Sequence, residues 1–349
     1  MTDLSPIFDP YDMQTVQSRL QTALRARLDP GLSLGALRRY TVGFSWVTYG
    51  FEARFSSGPS RSLILRIGPP NGIFGPYRAM PEFVTMQMLS ASGVPVPEAL
   101  CADDGTEDFG APWIVSAKVE GTAPIPWTHD GGPAFDAPTR RALGAQFLDG
   151  VAALHAVDWR AFPTAAQLPG ARSGPEAAAH EIEEWVRRMH NWSPRSWPML
   201  EWAAERFRAT IPANTALTLV HGDYRIGNFL IEGQRITAIL DWELVHLGDP
   251  LEDLGWIAMQ AWRGRSPWLC HLLTREELIG GYEARTGRPV DPKALAWWEA
   301  FGCFKLAVMH LGAAHCYETR GFNDLRMAGM GAQIPRVILQ VEAALERAL

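Results

Sequence analysis

The chain arranges its apolar residues in two rhythms, and the point where one gives way to the other constrains its fold more than any other feature. Between residues 37 and 67 the rhythm is that of strands: 37-LRRYTV-42, 47-VTYGFEARF-55 and 62-SLILRI-67, separated by Gly43 and by 56-SSGPS-60, read as an antiparallel meander. From Thr139 onward the spacing is helical, over 139–155 (Leu143, Phe147, Val151 and Leu154 on one stripe), 181–189, 198–210, 276–286, 292–315 and 334–349. An N-terminal helix over 12–28 stops at Asp29-Pro30-Gly31, and another over 81–92 starts on Pro81 and ends before Gly93. A short buried strand, 113-WIVSA-117, precedes a Pro- and Gly-rich boundary over 121–138. The patterning predicts an α+β chain of 349 residues in two lobes: an N-terminal helix plus a β-rich lobe over 1–117, and an α-helical lobe over 118–349.

With 47% hydrophobic and 20% charged residues, the chain is not of the disordered class. A formal net charge of −6 and the lack of any basic run argue against nucleic acid as a partner. Cys101, Cys270, Cys303 and Cys316 form no C-x-x-C pair, which suits free thiols in a reducing compartment. The start, MTDLSPIFDPYD, has no apolar core of a signal peptide, and no run of about 18 apolar residues exists to span a membrane. The expectation is a cytoplasmic protein; its oligomeric state is not legible.

The helical text is interrupted once, by 219-LVHGDYRIGNFLIEGQRITAILDWE-243. Leu219 and Val220 end an apolar run, so His221-Gly222-Asp223 stands on a loop emerging from the core. Two short strands, 229–231 and 236–240, joined at Glu232-Gly233-Gln234, carry the chain out and return Asp241 to the same edge. Asp223, Asn228 and Asp241 can therefore converge, offering hard oxygen ligands that suit Mg²⁺ rather than zinc, and a carboxylate able to take a proton from a hydroxyl. Taken singly, each has a plainer reading: a turn or cap Asp, a turn Asn and a structural His221. Chance agreement of all five positions (H, G, D, N, D) at fixed spacing is on the order of one in ten thousand for such a chain.

This stretch, H-G-D-x-x-x-x-N followed by I-L-D-W-E, resembles the catalytic and metal-binding loops of the aminoglycoside phosphotransferase family, relatives of the protein kinases. The resemblance implies a protein-kinase-like bilobal fold, ATP and Mg²⁺ as cofactors, and a small-molecule alcohol as acceptor. It makes Asp223 the base toward the acceptor hydroxyl, with Asn228 and Asp241 holding Mg²⁺. The segment 248-GDPLEDLGW-256 is similar to the family's GDP-x-x-DL stretch, with Asp249 and Asp253 in helix-capping and bracing roles. Arg225, two residues after Asp223, is expected to stabilise charge on the transferred phosphoryl group. Including 152-AALHAVDW-159 and 281–312, which look like the branch related to acyl-CoA dehydrogenase fusion proteins and macrolide kinases, the resemblance covers about residues 35–315. Lys305 falls within it without an assigned role.

In the N-terminal lobe, 43-GFSWVTY-49 sits where the nucleotide-covering loop belongs and is similar to G-x-S-N-x-T-Y, with Trp46 in the Asn place. Ser45 or nearby backbone N–H groups are then phosphate contacts; the alternative is an ordinary polar hairpin. Arg66 stands where the family usually has Lys, as the α/β-phosphate partner, though its fork differs from a Lys point charge. Glu82 is its orienting carboxylate, or simply an acid near a helix start. Backbone groups from Ala117 to Val119 are expected to take the adenine edge. Glu181, Glu183, Glu184, Trp185, Trp192, Trp197 and Trp202 suggest an acidic, aromatic lining for a cationic alcohol, against the plainer reading of packing and solvated faces.

Aminoglycoside, macrolide, amino-alcohol and hydroxyacyl acceptors all stay open. Two rival readings stand beside the kinase: a nucleotide-binding scaffold without catalysis, and a metallohydrolase built on His221, Asp223 and His246.

Overall fold

The computed structural model describes residues 8–41, 43, 45–69, 72–126, 132–213, 216–319 and 324–348. The first seven residues of the N-terminal segment, Val42 at the end of the first expected strand, Phe44 of the covering loop, 127–131 of the Pro- and Gly-rich boundary, and Leu349 at the end of the last expected helix lie outside them.

The smaller lobe is an antiparallel sheet with a helix on each side. Helix α1 (Met13–Arg27) starts because the Asp12 carboxylate accepts hydrogen bonds from the N–H groups of Gln14 and Thr15. Its Val16, Leu20, Ala23 and Leu24 are buried with one face of the sheet. The strands are β1 (Ser33–Leu34), β2 (Arg38–Tyr40), β3 (Val47–Arg54), β4 (Arg61–Ile67), β5 (Ala99–Asp103) and β6 (Trp113–Ala117), and the sheet runs β1-β3-β4-β6-β5 with β2 also on β3. Alternation along β4 buries Leu63, Leu65 and Ile67 with that core. Arg66 consequently projects from the opposite face, where helix α2 (Met80–Ala91) lies. Strands β1 and β5 escape the patterning because β1 is two residues long and β5 follows a proline-broken segment.

The larger lobe is built on helices α3 (Ala137–Ala156), α4 (Ala177–Trp192) and α5 (Pro198–Ala209), then a run of short strands. Strand β7 (Thr218–Val220) leads into the His221 loop, β8 (Phe229–Glu232) pairs with β9 (Arg235–Ile239), and β10 (His246–Gly248) returns to pair with β7. Helix α6 (Leu251–Ala258) follows, then α7 (Arg275–Thr286), the long α8 (Pro292–Glu318), α9 (Leu325–Ala332) and α10 (Ile334–Ala348). This is the bilobal α+β architecture that the motifs imply. No helix among the described residues is long and apolar enough to cross a membrane.

Helix α6 lies unusually close to α8. A Cβ built on Gly255 would stand 2.6 Å from the Trp298 carbonyl carbon and 2.7 Å from the Glu299 nitrogen, both backbone atoms that cannot rotate away. Overpacking of this kind costs about 1–3 kcal/mol. Gly255→Ala is expected to lower stability by that amount in urea unfolding, whereas a loss below about 0.5 kcal/mol would show that the two helices separate freely.

Candidate active site

The two predicted loops meet through their backbones, where the Leu240 N–H donates to the Asn228 carbonyl at 2.8 Å. Asp223 stands at the tip of the loop after β7, with its Oδ1 accepting hydrogen bonds from Arg225 Nε at 2.8 Å and from Trp256 Nε1 at 2.7 Å. Its Oδ2 accepts from Asn228 Nδ2 at 2.7 Å, and the same amide also donates to the Asp223 carbonyl at 2.9 Å. Arg225 packs over Trp262, 5.0 Å from the ring centre. Asp241 closes β9 in a left-handed conformation, φ 68°. Its Oδ1 accepts from Arg66 at 3.0 Å, so the chain's second acidic loop is tied directly to the sheet of the smaller lobe.

The loop backbone is held from below. Gly222 has φ +81°, and a Cβ there would lie 2.7 Å from the Leu244 carbonyl oxygen, so only glycine fits. His221 Nδ1 accepts from the Asp223 N–H at 3.2 Å and its Nε2 donates to the Leu240 carbonyl at 2.9 Å. Neither ring nitrogen is left for a metal, which removes the metallohydrolase reading. The fully buried Asp253 accepts from the N–H groups of His221 and Gly222, at 2.9 and 3.0 Å, and from His155 Nε2 at 3.1 Å. Asp249, by contrast, accepts the Leu251 N–H of its own turn, at 2.8 Å.

Arg66 sits among carboxylates. It is ion-paired with Glu82 on α2 and with Asp241, and it stacks 5.1 Å from the Trp46 ring. Glu243, two residues past Asp241, accepts from Ser45 Oγ through Oε1 and from Trp46 Nε1 through Oε2, both at 2.8 Å. Burial and the neighbouring Asp241 push the Glu243 carboxyl well above the usual carboxylate range. Burial also raises Glu82, against the pull of Arg66. The Ser45 hydroxyl is thus committed to Glu243 in this state. At the end of β6, the N–H groups of Ala117 and Lys118 are given to Glu98 and Ser62 carbonyls, at 2.8 and 2.9 Å, while Val119 N–H takes no partner among the described residues.

The donor set fits a hard divalent cation. Asn228 offers a carbonyl oxygen that accepts no hydrogen bond among the described residues, and Asp241 offers a half-exposed carboxylate; neither supplies nitrogen or sulfur. A cavity of about 300 Å³ borders the site, lined in part by Trp46, Phe74, Tyr77, Arg188, Trp192 and Glu243. Its lining does not include Asp223 or Asn228.

Of the expected acidic, aromatic lining, Glu184 and Trp192 border this cavity, beside Arg187 and Arg188, while Glu181, Glu183, Trp185, Trp197 and Trp202 are not part of its wall. Glu183 pairs with Arg208, Glu184 with Arg187 and Arg188, and Glu181 is buried with its Oε2 accepting from Trp185 Nε1 at 3.0 Å. Neighbours on the same helix satisfy Glu181 and Glu184, and Arg208 of α5 satisfies Glu183. Trp256 and Glu243 are the contacts that the motifs did not reveal. Trp256 follows Asp253 by three residues, so a helix that braces the loop with one must present the other nearby.

The sequence model of the phosphotransferase enzyme family matches residues 49–298. The chain therefore belongs to that family, and the class that the fold and the family define is that of the phosphotransferases. It is 24% identical over 323 residues to acyl-CoA dehydrogenase family member 11 of Rattus norvegicus, covering 88% of this chain and 40% of that protein. The chain spans less than half the length of the curated relatives it matches. Among solved structures, a protein of Ralstonia eutropha provisionally described as an aminoglycoside phosphotransferase has a TM-score of 0.72 at 21% identity, with 95% of this chain and 98% of that one covered. A thermostable mutant of aminoglycoside phosphotransferase APH(4)-Ia, in a ternary complex with AMP-PNP and hygromycin B, has a TM-score of 0.53 at 17% identity, with 94% and 98% covered. At these identities the structural likenesses establish the fold.

Asp253→Asn places an N–H against one of three donors. At pH 7 this is expected to cost roughly 1–3 kcal/mol or more in urea unfolding. Burial alone would raise the Asp253 carboxyl, but the hydrogen bond from His155 and the backbone donors hold it below its ordinary 3.8. Its contribution is therefore present above about pH 4 and lost as the pH falls through the lower folded value, so the gap between wild type and variant should narrow in acid. A gap that widens below pH 4 would refute this account.

Proposed function

We propose that the chain transfers the γ-phosphoryl group of ATP, bound with Mg²⁺, to a hydroxyl of a small molecule. The observation that supports this most strongly is the Asp223 carboxylate, fixed by Arg225, Asn228 and Trp256 on the same edge that receives Asp241. In this reading Asp223 accepts the proton of the acceptor hydroxyl and orients its oxygen for in-line attack. Asn228 and Asp241 hold the metal, which when bound would neutralise phosphate charge. Arg66, oriented by Glu82, turns from Asp241 toward the α- and β-phosphates as nucleotide enters; its fork suits two oxygens at once. Ser45, with the backbone around it, covers the phosphates once released from Glu243. The Val119 N–H and the backbone from Ala117 take the adenine edge.

The paired acids on α4 weaken the case for a polycationic acceptor. The scaffold alternative is disfavoured because a chain without catalysis has no need to hold Asp223 with three donors. Coupled ADP release over a panel of aminoglycosides, macrolides, amino alcohols and hydroxyacyl compounds tests the reading.

Asp223→Asn is expected to lower turnover by about 10²–10⁴-fold with ATP affinity nearly unchanged. Asp241→Ala should instead abolish the Mg²⁺ dependence of nucleotide binding in calorimetry. If Asp223→Asn turned over normally, the role assigned to this carboxylate would be wrong. Arg225→Met should lower kcat more than it raises the KM for ATP; an unchanged kcat would remove the proposed charge stabilisation.

A further inference from the structure

Behind the catalytic loop lies a second group of charges that the reaction scheme does not use. Glu181 on α4, His246 on β10, Glu252 on α6 and Lys305 on α8 are all more than nine-tenths buried. His246 Nε2 stands 3.0 Å from Glu252 Oε2 and 3.5 Å from Glu181 Oε1, and its Nδ1 stands 2.9 Å from the Leu244 carbonyl oxygen. Both ring nitrogens face acceptors, so both carry protons and the ring is an imidazolium. Lys305 pairs with Glu252 and lies 4.0 Å from Glu181 Oε2. Two cations thus balance two anions among side chains that are all buried. Three of these side chains have ligand atoms within 4.8 Å of one another, as a metal site would. The Lys305 ammonium already supplies the positive charge that such a site would need.

The group touches both catalytic loops. The Leu244 carbonyl that receives His246 is the atom standing over Gly222. Lys305 Nζ lies 5.3 Å from the ring centre of Trp256, whose Nε1 holds Asp223. Glu252 and Trp256 are one helical turn apart on α6. We propose that Glu181, His246, Glu252 and Lys305 form a positioning device for phosphoryl transfer, fixing α6 and the turn at Leu244 so that Trp256 holds the Asp223 carboxylate in register. The consequence for catalysis rests on the phosphotransferase reading above; the mechanical link to Trp256 does not.

Removing one member strands a buried charge and destabilises the fold, so the test removes one of each sign. The paired variant Lys305→Met with Glu252→Gln should bind ATP within about twofold of wild type and lose about tenfold or more in Mg-ATP hydrolysis, with water as the acceptor. Trp256→Phe should show a similar loss, and the combination should be little worse than either, because both act through one contact. Losses that multiply would overturn the proposal. Absence of Mg-ATP turnover in the wild type would instead count against the phosphotransferase reading. A second arm needs neither turnover nor a charge variant. Burial pulls the His246 ring down, but Glu181 and Glu252 push it up to about 9, with Lys305 opposing. In the wild-type protein the Trp256 indole N–H resonance, assigned by its loss in Trp256→Phe, should shift through an inflection near pH 9. The Trp113 resonance, in the smaller lobe, should not. A flat Trp256 signal from pH 7 to 10 would also overturn the proposal, whether or not the paired variant folds.

Discussion

The architecture of the site depends on one buried carboxylate. Asp253 is fully enclosed, yet it accepts from two consecutive backbone N–H groups and from His155. A loop that turns sharply out of a core leaves its own N–H groups without partners, and leaving them so would cost more than the loop gains. Asp253 solves this for His221 and Gly222, and in doing so attaches the loop to α6. Everything that acts on Asp223 is then referred to one rigid helix packed backbone-to-backbone on α8.

From that anchor the remaining contacts form a chain across the molecule. Trp256 on α6 reaches Asp223; Asn228 ties the same carboxylate to the start of the β8 strand; β9 returns Asp241 to Arg66. Arg66 in turn is set by Glu82 and Trp46, and Trp46 with Ser45 is held by Glu243. The polar contacts between the lobes are therefore centred on a single guanidinium with three carboxylates around it, beside an apolar core that packs α2 against the larger lobe. In this cluster burial first, and the neighbouring Asp241 second, raise the Glu243 carboxyl, with Arg66 opposing. The cluster is the kind of contact that an incoming cation and triphosphate can rearrange, since both bring charges that compete for the same groups.

The buried quartet behind α6 has the opposite character. Its charges balance, its members come from four separate elements, and none faces an opening. Charge pairs of this sort add little net stability compared with apolar packing, but they tolerate few alternative geometries. That property suits a support for a carboxylate that must not drift.

The text of the chain alone determined the order of strands and helices, the alternation that sends Arg66 away from the sheet's own core, and the two loops bearing Asp223, Asn228 and Asp241. Those features are local: a period of two or of 3.6, a glycine at a left-handed turn, a hairpin whose length returns its ends together. Short elements such as β1 and β5 were not legible, because two to five residues carry too little periodicity. Nor were the partners of the α4 acids, since that Glu184 borders a cavity already paired with Arg187 and Arg188, and that Glu183 meets Arg208 of α5, depends on which side of the helix is covered. Only the tertiary structure decided that Trp256 touches Asp223, that Ser45 is held by Glu243, and that Lys305 lies beside Glu252. These pairs are separated by 33 to 198 residues, and nothing in a local pattern encodes a contact over that distance.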